Sequence, residues 1–273
     1  MKFVSRYTAH QPDENFVVDY TLSEHQIWQC LYTRQEKILP GRAVNAFISG
    51  LQLLKMSRTH IPQIPQINEQ LKQLSDWQVK PVAAVISSEA FFTLLSQGYF
   101  PVATFIRSQD DLDYITEPDI FHELFGHVPL LTHSSYANFI KKYAKIALTF
   151  PKHDWNAFLR LFWFTIEFGL IETEDGLRIY GGGILSSYGE TRSCLTSDAS
   201  LRAQFDPVSI LRTPYRIDRI QPLYFVIKDF LVLQQIIDLD FANILSRVHE
   251  LGMFPPLYEP DNPVNVKSKD TTC

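Results

Sequence analysis

The sequence predicts a mostly α-helical catalytic domain, built of packed helices with a few short β-strands. Three observations carry that expectation. Apolar residues recur at helical period along most of the chain, start and stop residues bracket those stretches, and β-rich pieces are few and short. The 273 residues, 45% hydrophobic and 20% charged, suffice for one large core. We read residues 1–273 as a single catalytic domain, with 261–273 a loosely held polar tail.

The elements follow in order. TLSEHQIWQCLYTRQEKIL opens with Thr21 and Glu24 in capping-box spacing and should stop at Pro40-Gly41. RAVNAFISGLQLLKMS (42–57) carries an apolar stripe at helical period, and HIPQIPQIN (60–68) reads as an extended connection. A short helix is expected over 87–98, started by Ser87 or Ser88 and stopped by Gly98. YFPVATFI (99–106) is β-rich, and Pro101 points to an edge strand. Further helices are expected at about 117–127, 134–148, 154–171 and 223–250. The pieces GLRIYGG and GILSSYGE between the last two read as β-like.

Several function classes are disfavoured. The net charge is −5 and no Lys/Arg run is dense enough to track phosphates, which argues against nucleic acid. Arg6 interrupts the N-terminal apolar run, so it does not read as a signal peptide. The most apolar C-terminal stretch carries Lys228 and Asp229, so no membrane span is expected. Three cysteines, odd in number and without CxxC spacing, suggest reduced thiols in a cytoplasmic protein.

The informative stretch is PDIFHELFGHVPLL (118–131). Its histidines, His122 and His127, are one residue further apart than in the HExxH zinc motif. Five residues advance a regular helix by about 500°, which leaves the two side chains roughly 140° apart. A shared metal would need a deformed backbone, which Gly126 makes cheap. Thr116 is the expected cap of this helix, with Pro118 in its first turn. The pair alone is equally readable as two ordinary helix histidines.

A second feature lies in RLFWFTIEFGLIE (160–172), where Glu167 sits inside a nearly continuous apolar run. Burying its carboxylate unpaired would cost several kcal/mol. A proton, an Arg or Lys, or a cation must compensate it. Two His and one carboxylate are the ligand types of non-haem Fe(II) oxygenases, although they also suit catalytic zinc.

Taken in order, PDIFHELFGHVPLL, FWFTIEFGL and GGGILSSYGE resemble the tetrahydropterin-dependent aromatic amino acid hydroxylases, in their short bacterial phenylalanine-hydroxylating form. The resemblance runs from about Pro81 to Val226. It implies a mostly α catalytic domain with one Fe(II) held by His122, His127 and Glu167. The implied reaction converts L-phenylalanine to L-tyrosine with O₂ and a tetrahydropterin, tetrahydrobiopterin or a related one. It also implies roles around the metal. Arg107 would grip the substrate carboxylate, a role that suits a guanidinium fork. Pro118, Trp163, Phe168, Gly183 and Ser186 would surround the substrate. Phe91 would stack on the pterin, with Val85, Ile86, Ser88 and Glu123 beside it. GGG is not read as a phosphate loop, because its spacing does not match GxGxxG.

The chain departs from longer relatives at Ile115, where a hydroxyl residue contacts the substrate, and at Phe162, where a tyrosine lies near the pterin. It has no room for a regulatory domain or a tetramerisation helix, so a monomer or dimer is expected. His133 and His153 match no functional position and read as surface residues. The alternatives are a tryptophan or tyrosine hydroxylase of the same family, or a zinc hydrolase with Glu123 as general base.

Overall fold

Thr21 starts the first helix, α1 (Leu22–Ile38), through the expected capping box: its hydroxyl accepts from the Glu24 N–H, and Glu24 returns the bond to the Thr21 N–H. The fold is that of a computed structural model, which describes residues 6–83 and 85–258. The predicted tail at 261–273 lies outside the described residues. Two further helices follow, α2 (Asn45–Leu53) and α3 (Ile64–Leu74). The second corrects the reading of 60–68 as an extended connection. Pro65 sits in the first turn of α3, where a missing N–H costs nothing, and Gln63 caps it.

Strand β1 (Gln78–Val82) pairs in parallel with β2 (Tyr99–Ala103), which places Lys80 opposite Pro101. Both strands of a two-stranded sheet are edges, so the proline is tolerated as expected. Between them lies α4 (Ser88–Gln97), capped by the Ser87 hydroxyl and stopped by Gly98 at φ 85°. The long helix α5 (Ser134–Thr149) packs against α4, and α6 (Trp155–Phe162) follows it.

A second, four-stranded sheet has the order β4-β3-β6-β5. Its strands are β3 (Leu170–Thr173), β4 (Gly176–Ile179), β5 (Leu201–Gln204) and β6 (Leu223–Ile227). Only β3 and β4 run antiparallel. Two segments differ from the sequence expectation here. GILSSYGE forms helices α7 (Gly182–Leu185) and α8 (Tyr188–Ser193), the latter capped by the Ser187 hydroxyl. Residues 223–250 are not one helix. They form β6 and then α10 (Leu231–Ile237) and α11 (Phe241–Leu251), after a short α9 (Pro207–Arg212). A buried apolar run such as LYFVI reads alike as strand or helix, and pairing with β3 and β5 decides it.

The core nearest the histidine segment is aromatic. Phe121 and Phe125 stack at 4.7 Å, Trp28 meets Phe121 edge-on, and Tyr32 meets Phe125 edge-on. Helix α1 thereby forms a rigid backing for residues 120–127. Cys194 is a free buried thiol, as expected. His153 is exposed, but His133 is half-buried against Phe230, its ring 4.6 Å away, and is no surface residue. Among the described residues, no helix is long and apolar enough to cross a membrane.

Close backbone approach also matters away from the site. A Cβ on Gly50 in α2 would lie 2.1 Å from the Pro129 carbonyl oxygen, with no flexible side chain to move aside. Gly50→Ala should therefore cost about 1–3 kcal/mol. Denaturant unfolding should show it as a fall in midpoint larger than that of the cap variant Thr21→Ala, about 1 kcal/mol.

Candidate active site

The two histidines meet because their segment is not a regular α-helix. Residues His122–His127 form a π-helical turn, closed by an i→i+5 bond from the Val128 N–H to the Glu123 carbonyl. In that geometry residues five apart return to nearly the same face, which removes the angular objection raised by α-helical spacing. The Nε2 atoms lie 3.2 Å apart. Thr116 is not the cap. Asp119 is: its Oδ1 accepts from the His122 N–H at 2.9 Å.

Glu167 ends a second π-helical turn, Trp163–Glu167, which continues α6 and is closed by Phe168 N–H donating to the Trp163 carbonyl. Its carboxylate oxygens approach His127 Nε2 at 3.2 Å and His122 Nε2 at 3.6 Å. Donors about 2.0–2.2 Å from one ion would stand ~3.0 Å apart at right angles and ~3.4 Å apart in a tetrahedron; the imidazole pair and the His127–Oε1 pair at 3.2 Å fall in that range, and the His122–Oε2 pair at 3.6 Å lies just beyond it. Glu123 also offers a carboxylate oxygen within 4.8 Å of both imidazoles. Glu167 is the nearer acid and addresses both rings.

The electrostatics agree with a cation site. Burial lowers the His122 pKa to about 4, against the opposing pull of Glu167, so its ring is neutral at pH 7. Its Nδ1 meets Ser186 Oγ at 3.0 Å, and that hydroxyl donates to the Gly182 carbonyl. Serine is therefore free to accept from Nδ1–H, which leaves Nε2 as the lone pair facing the site. Burial pushes the Glu167 carboxyl up, and the two imidazoles beside it more than reverse that. Burial, then the charges of Glu167 and Asp119, raise Glu123 well above the usual carboxylate range. His127 is fully buried, and its Nδ1 has no hydrogen-bond partner among the described residues.

The glycines of GGGIL let backbone crowd this centre. A Cβ on Gly182 would lie 2.4 Å from the His127 ring, and one on Gly183 would lie 3.0 Å from Glu167 Oε2. Across α7, a Cβ on Gly126 would strike the Gly182 carbonyl oxygen at 2.5 Å.

A cavity of about 520 Å³ is lined by two of the three ligand candidates, His122 and Glu167, with His127 buried behind them. Of the residues predicted for substrate contact, Arg107, Pro118, Trp163, Phe168, Gly183 and Ser186 all line it. So do the predicted pterin neighbours Val85, Ile86, Ser88, Phe91 and Glu123. Ile115 and Phe162, the two departures, belong to the same wall, and Phe162 meets Phe91 edge-on at 5.2 Å. Arg107 is buried and forms a two-pronged ion pair with fully buried Asp119: Nε and Nη2 each donate at 2.9 Å. Its Nη1 has no acceptor among the described residues. Trp163 packs on Phe168 at 4.4 Å.

The structure adds residues that sequence reasoning did not single out. In the sequence Asp119 stands out only as lying three residues after the expected cap Thr116. Tyr215 stacks on Trp163 at 4.4 Å, and no local pattern in TPYRID marks it. Glu190, in the cavity wall, accepts from the Gln221 N–H at 2.9 Å and from the Tyr224 hydroxyl.

Comparison with known proteins matches residues 4–259 to the biopterin-dependent aromatic amino acid hydroxylases. The chain belongs to that family. It is 47% identical over 259 residues to the phenylalanine-4-hydroxylase of Pseudomonas aeruginosa, covering 94% of this chain and 97% of the relative. The solved phenylalanine hydroxylase of Legionella pneumophila superposes with a TM-score of 0.89 at 53% identity, covering 92% of this chain and all of that one. A structure of the Chromobacterium violaceum enzyme with iron(III) and 7,8-dihydrobiopterin bound superposes with a TM-score of 0.83 at 38% identity, covering 93% of each chain. A hydroxylase family membership removes the zinc-hydrolase alternative.

Glu190 yields a pH prediction for this hydroxylase-family chain. Burial pushes its carboxyl up to about 7. A folded pKa above the unfolded value of 4.5 means that the folded state binds the proton more tightly. Stability is thus lost as pH rises from about 4.5 to about 7, by on the order of 3 kcal/mol. Glu190→Gln should flatten the dependence of unfolding midpoint on pH across that window. A parallel dependence in both proteins would contradict the assignment.

Proposed function

We propose that this protein is a phenylalanine 4-monooxygenase, converting L-phenylalanine and O₂ to L-tyrosine with a tetrahydropterin as reductant. The observation that carries this reading is the convergence of His122, His127 and Glu167 beside a cavity lined by His122, Glu167 and Arg107. Those three residues would hold an Fe(II). Iron and the reduced pterin together supply the electrons that activate O₂.

The chain's own residues bind, orient and exclude water. Arg107, already fixed by Asp119, offers its remaining Nη1 to the substrate carboxylate. Because Asp119 locks the guanidinium beforehand, little conformational entropy is lost on binding. Trp163, Phe168 and Pro118 supply an apolar wall for the substrate ring, which turns its edge toward the ligand triad. Phe91, near the opposite side of the cavity beside Phe162, offers a face for the pterin, with Val85, Ile86 and Ser88 along its edge. Glu123, whose burial favours the protonated form before ligands enter, can donate a hydrogen bond to a pterin ring acceptor. The apolar walls keep bulk water from the reacting ring.

Within the family, tryptophan and tyrosine hydroxylation remain the competing readings. Phenylalanine is favoured because the relatives at 40–47% identity over most of the chain are phenylalanine-4-hydroxylases. The proposal extends to a single catalytic domain acting in the cytoplasm as a monomer or dimer.

The deciding assay measures tyrosine formation with Fe(II), tetrahydropterin and O₂, omitting each in turn; product in any omission defeats the reading. Glu167→Ala should lose iron and activity together, by metal analysis after desalting. Arg107→Ala should raise the KM for phenylalanine by at least about tenfold while iron stays bound.

A further inference from the structure

The wall proposed to face the substrate ring is gripped by a segment that none of the recognised motifs includes. Residues 213–221 (TPYRIDRIQ) hold Trp163 through Tyr215 and Gln221, and Tyr215 and Ile217 also line the cavity. Tyr215 stacks on the indole at 4.4 Å with an interplanar angle of 21°. Gln221, 1% exposed, accepts from the indole N–H: Nε1 to Oε1 is 3.3 Å.

The orientation of that carboxamide is settled by its other end. Gln221 Nε2 donates to the Arg216 carbonyl at 2.8 Å and to the Arg219 carbonyl at 2.9 Å. With both amide hydrogens committed to carbonyls, only the oxygen is left for the indole. The Gln221 backbone is held in turn, its N–H donating to the Glu190 carboxyl. Tyr114, on the opposite lip, donates to the Ile217 carbonyl, which closes the segment against the cavity mouth. One side chain therefore ties a loop to itself and sets the in-plane rotation of the ring that walls the substrate. Stacking by Tyr215 fixes the tilt of the indole but leaves it free to slide in its plane. A hydrogen bond at the edge removes that freedom.

We infer that Gln221 is a specificity-determining positioning residue: by fixing the indole of Trp163 it decides which aromatic ring the pocket presents to the metal, and how faithfully. This rests on the proposed hydroxylase reading and deepens it. Gln221 does not itself line the cavity, so its effect must pass through Trp163. That dependence makes the claim testable by non-additivity.

The test uses iron-loaded, full-length protein in a double-mutant cycle of Gln221→Leu and Trp163→Phe. Two ratios are read: tyrosine formed per tetrahydropterin oxidised, and kcat/KM for L-phenylalanine over that for L-tryptophan. Each single variant should lower both ratios, Gln221→Leu by on the order of fivefold. The double variant should match Trp163→Phe, because phenylalanine has no N–H for Gln221 to hold. Effects that multiply, or a Gln221→Leu variant that lowers all rates with both ratios unchanged, overturn the inference.

A second measurement stands if Gln221→Leu folds poorly. In protein labelled with 5-fluorotryptophan, the Trp163 resonance is assigned by its loss in Trp163→Phe, among the signals of only four tryptophans. The milder Gln221→Asn should shift and broaden that resonance alone; an unchanged Trp163 signal overturns the inference. Wild-type protein that forms no tyrosine would instead refute the hydroxylase reading, and this spectrum would still report on the Gln221–Trp163 coupling.

Discussion

Two imidazoles and a carboxylate point at one another across 3.2–3.6 Å inside an apolar shell, and much of the surrounding structure follows from that constraint. Three electron-rich atoms so close together repel or waste their lone pairs unless a cation lies between them. Holding them there demands two departures from regular helix, and both segments that carry these side chains are π-helical turns. Each widened turn gives up good hydrogen-bond geometry to bring a side chain round to the required face. Aromatic packing from α1 and close contact with α7 keep the first of them from relaxing to an α-helix.

The proposed metal ligands and the proposed substrate-binding arginine share one acid. Asp119 Oδ1 accepts from the His122 backbone N–H and from Arg107 Nη2, while Oδ2 accepts from the Arg107 N–H and Nε. A single fully buried carboxylate therefore starts the histidine turn and aims the guanidinium. Burial raises its pKa, and Arg107 more than reverses this, so it stays ionised. The distance between the proposed carboxylate grip and the proposed iron is thus set by covalent geometry around one residue. On the opposite side, glycines 181 to 183 bring backbone to within contact of both π-helical turns. Side chains there would occupy the space of His127 and Glu167.

The sequence by itself determined the ligand types and their neighbours. HELFGH and the acid at Glu167 in its apolar run were legible as local patterns, whereas Arg107 and the other cavity-lining residues were named only through the family resemblance that the three motifs in order carry. Helix ends at Thr21, Ser87 and Gly98 were legible locally too: caps are made within four residues of chain. Tertiary structure decided what local pattern leaves open. It chose strand over helix for LYFVI by offering two neighbours to pair with, and helix over strand for GILSSYGE. It turned an awkward five-residue spacing into a chelating one by widening a helical turn. It also brought Asp119 to Arg107, and Tyr215 and Gln221 to Trp163, across 12 and more than 50 residues of chain. Pairings at such separations depend on how the whole chain packs, and no short window of residues encodes them.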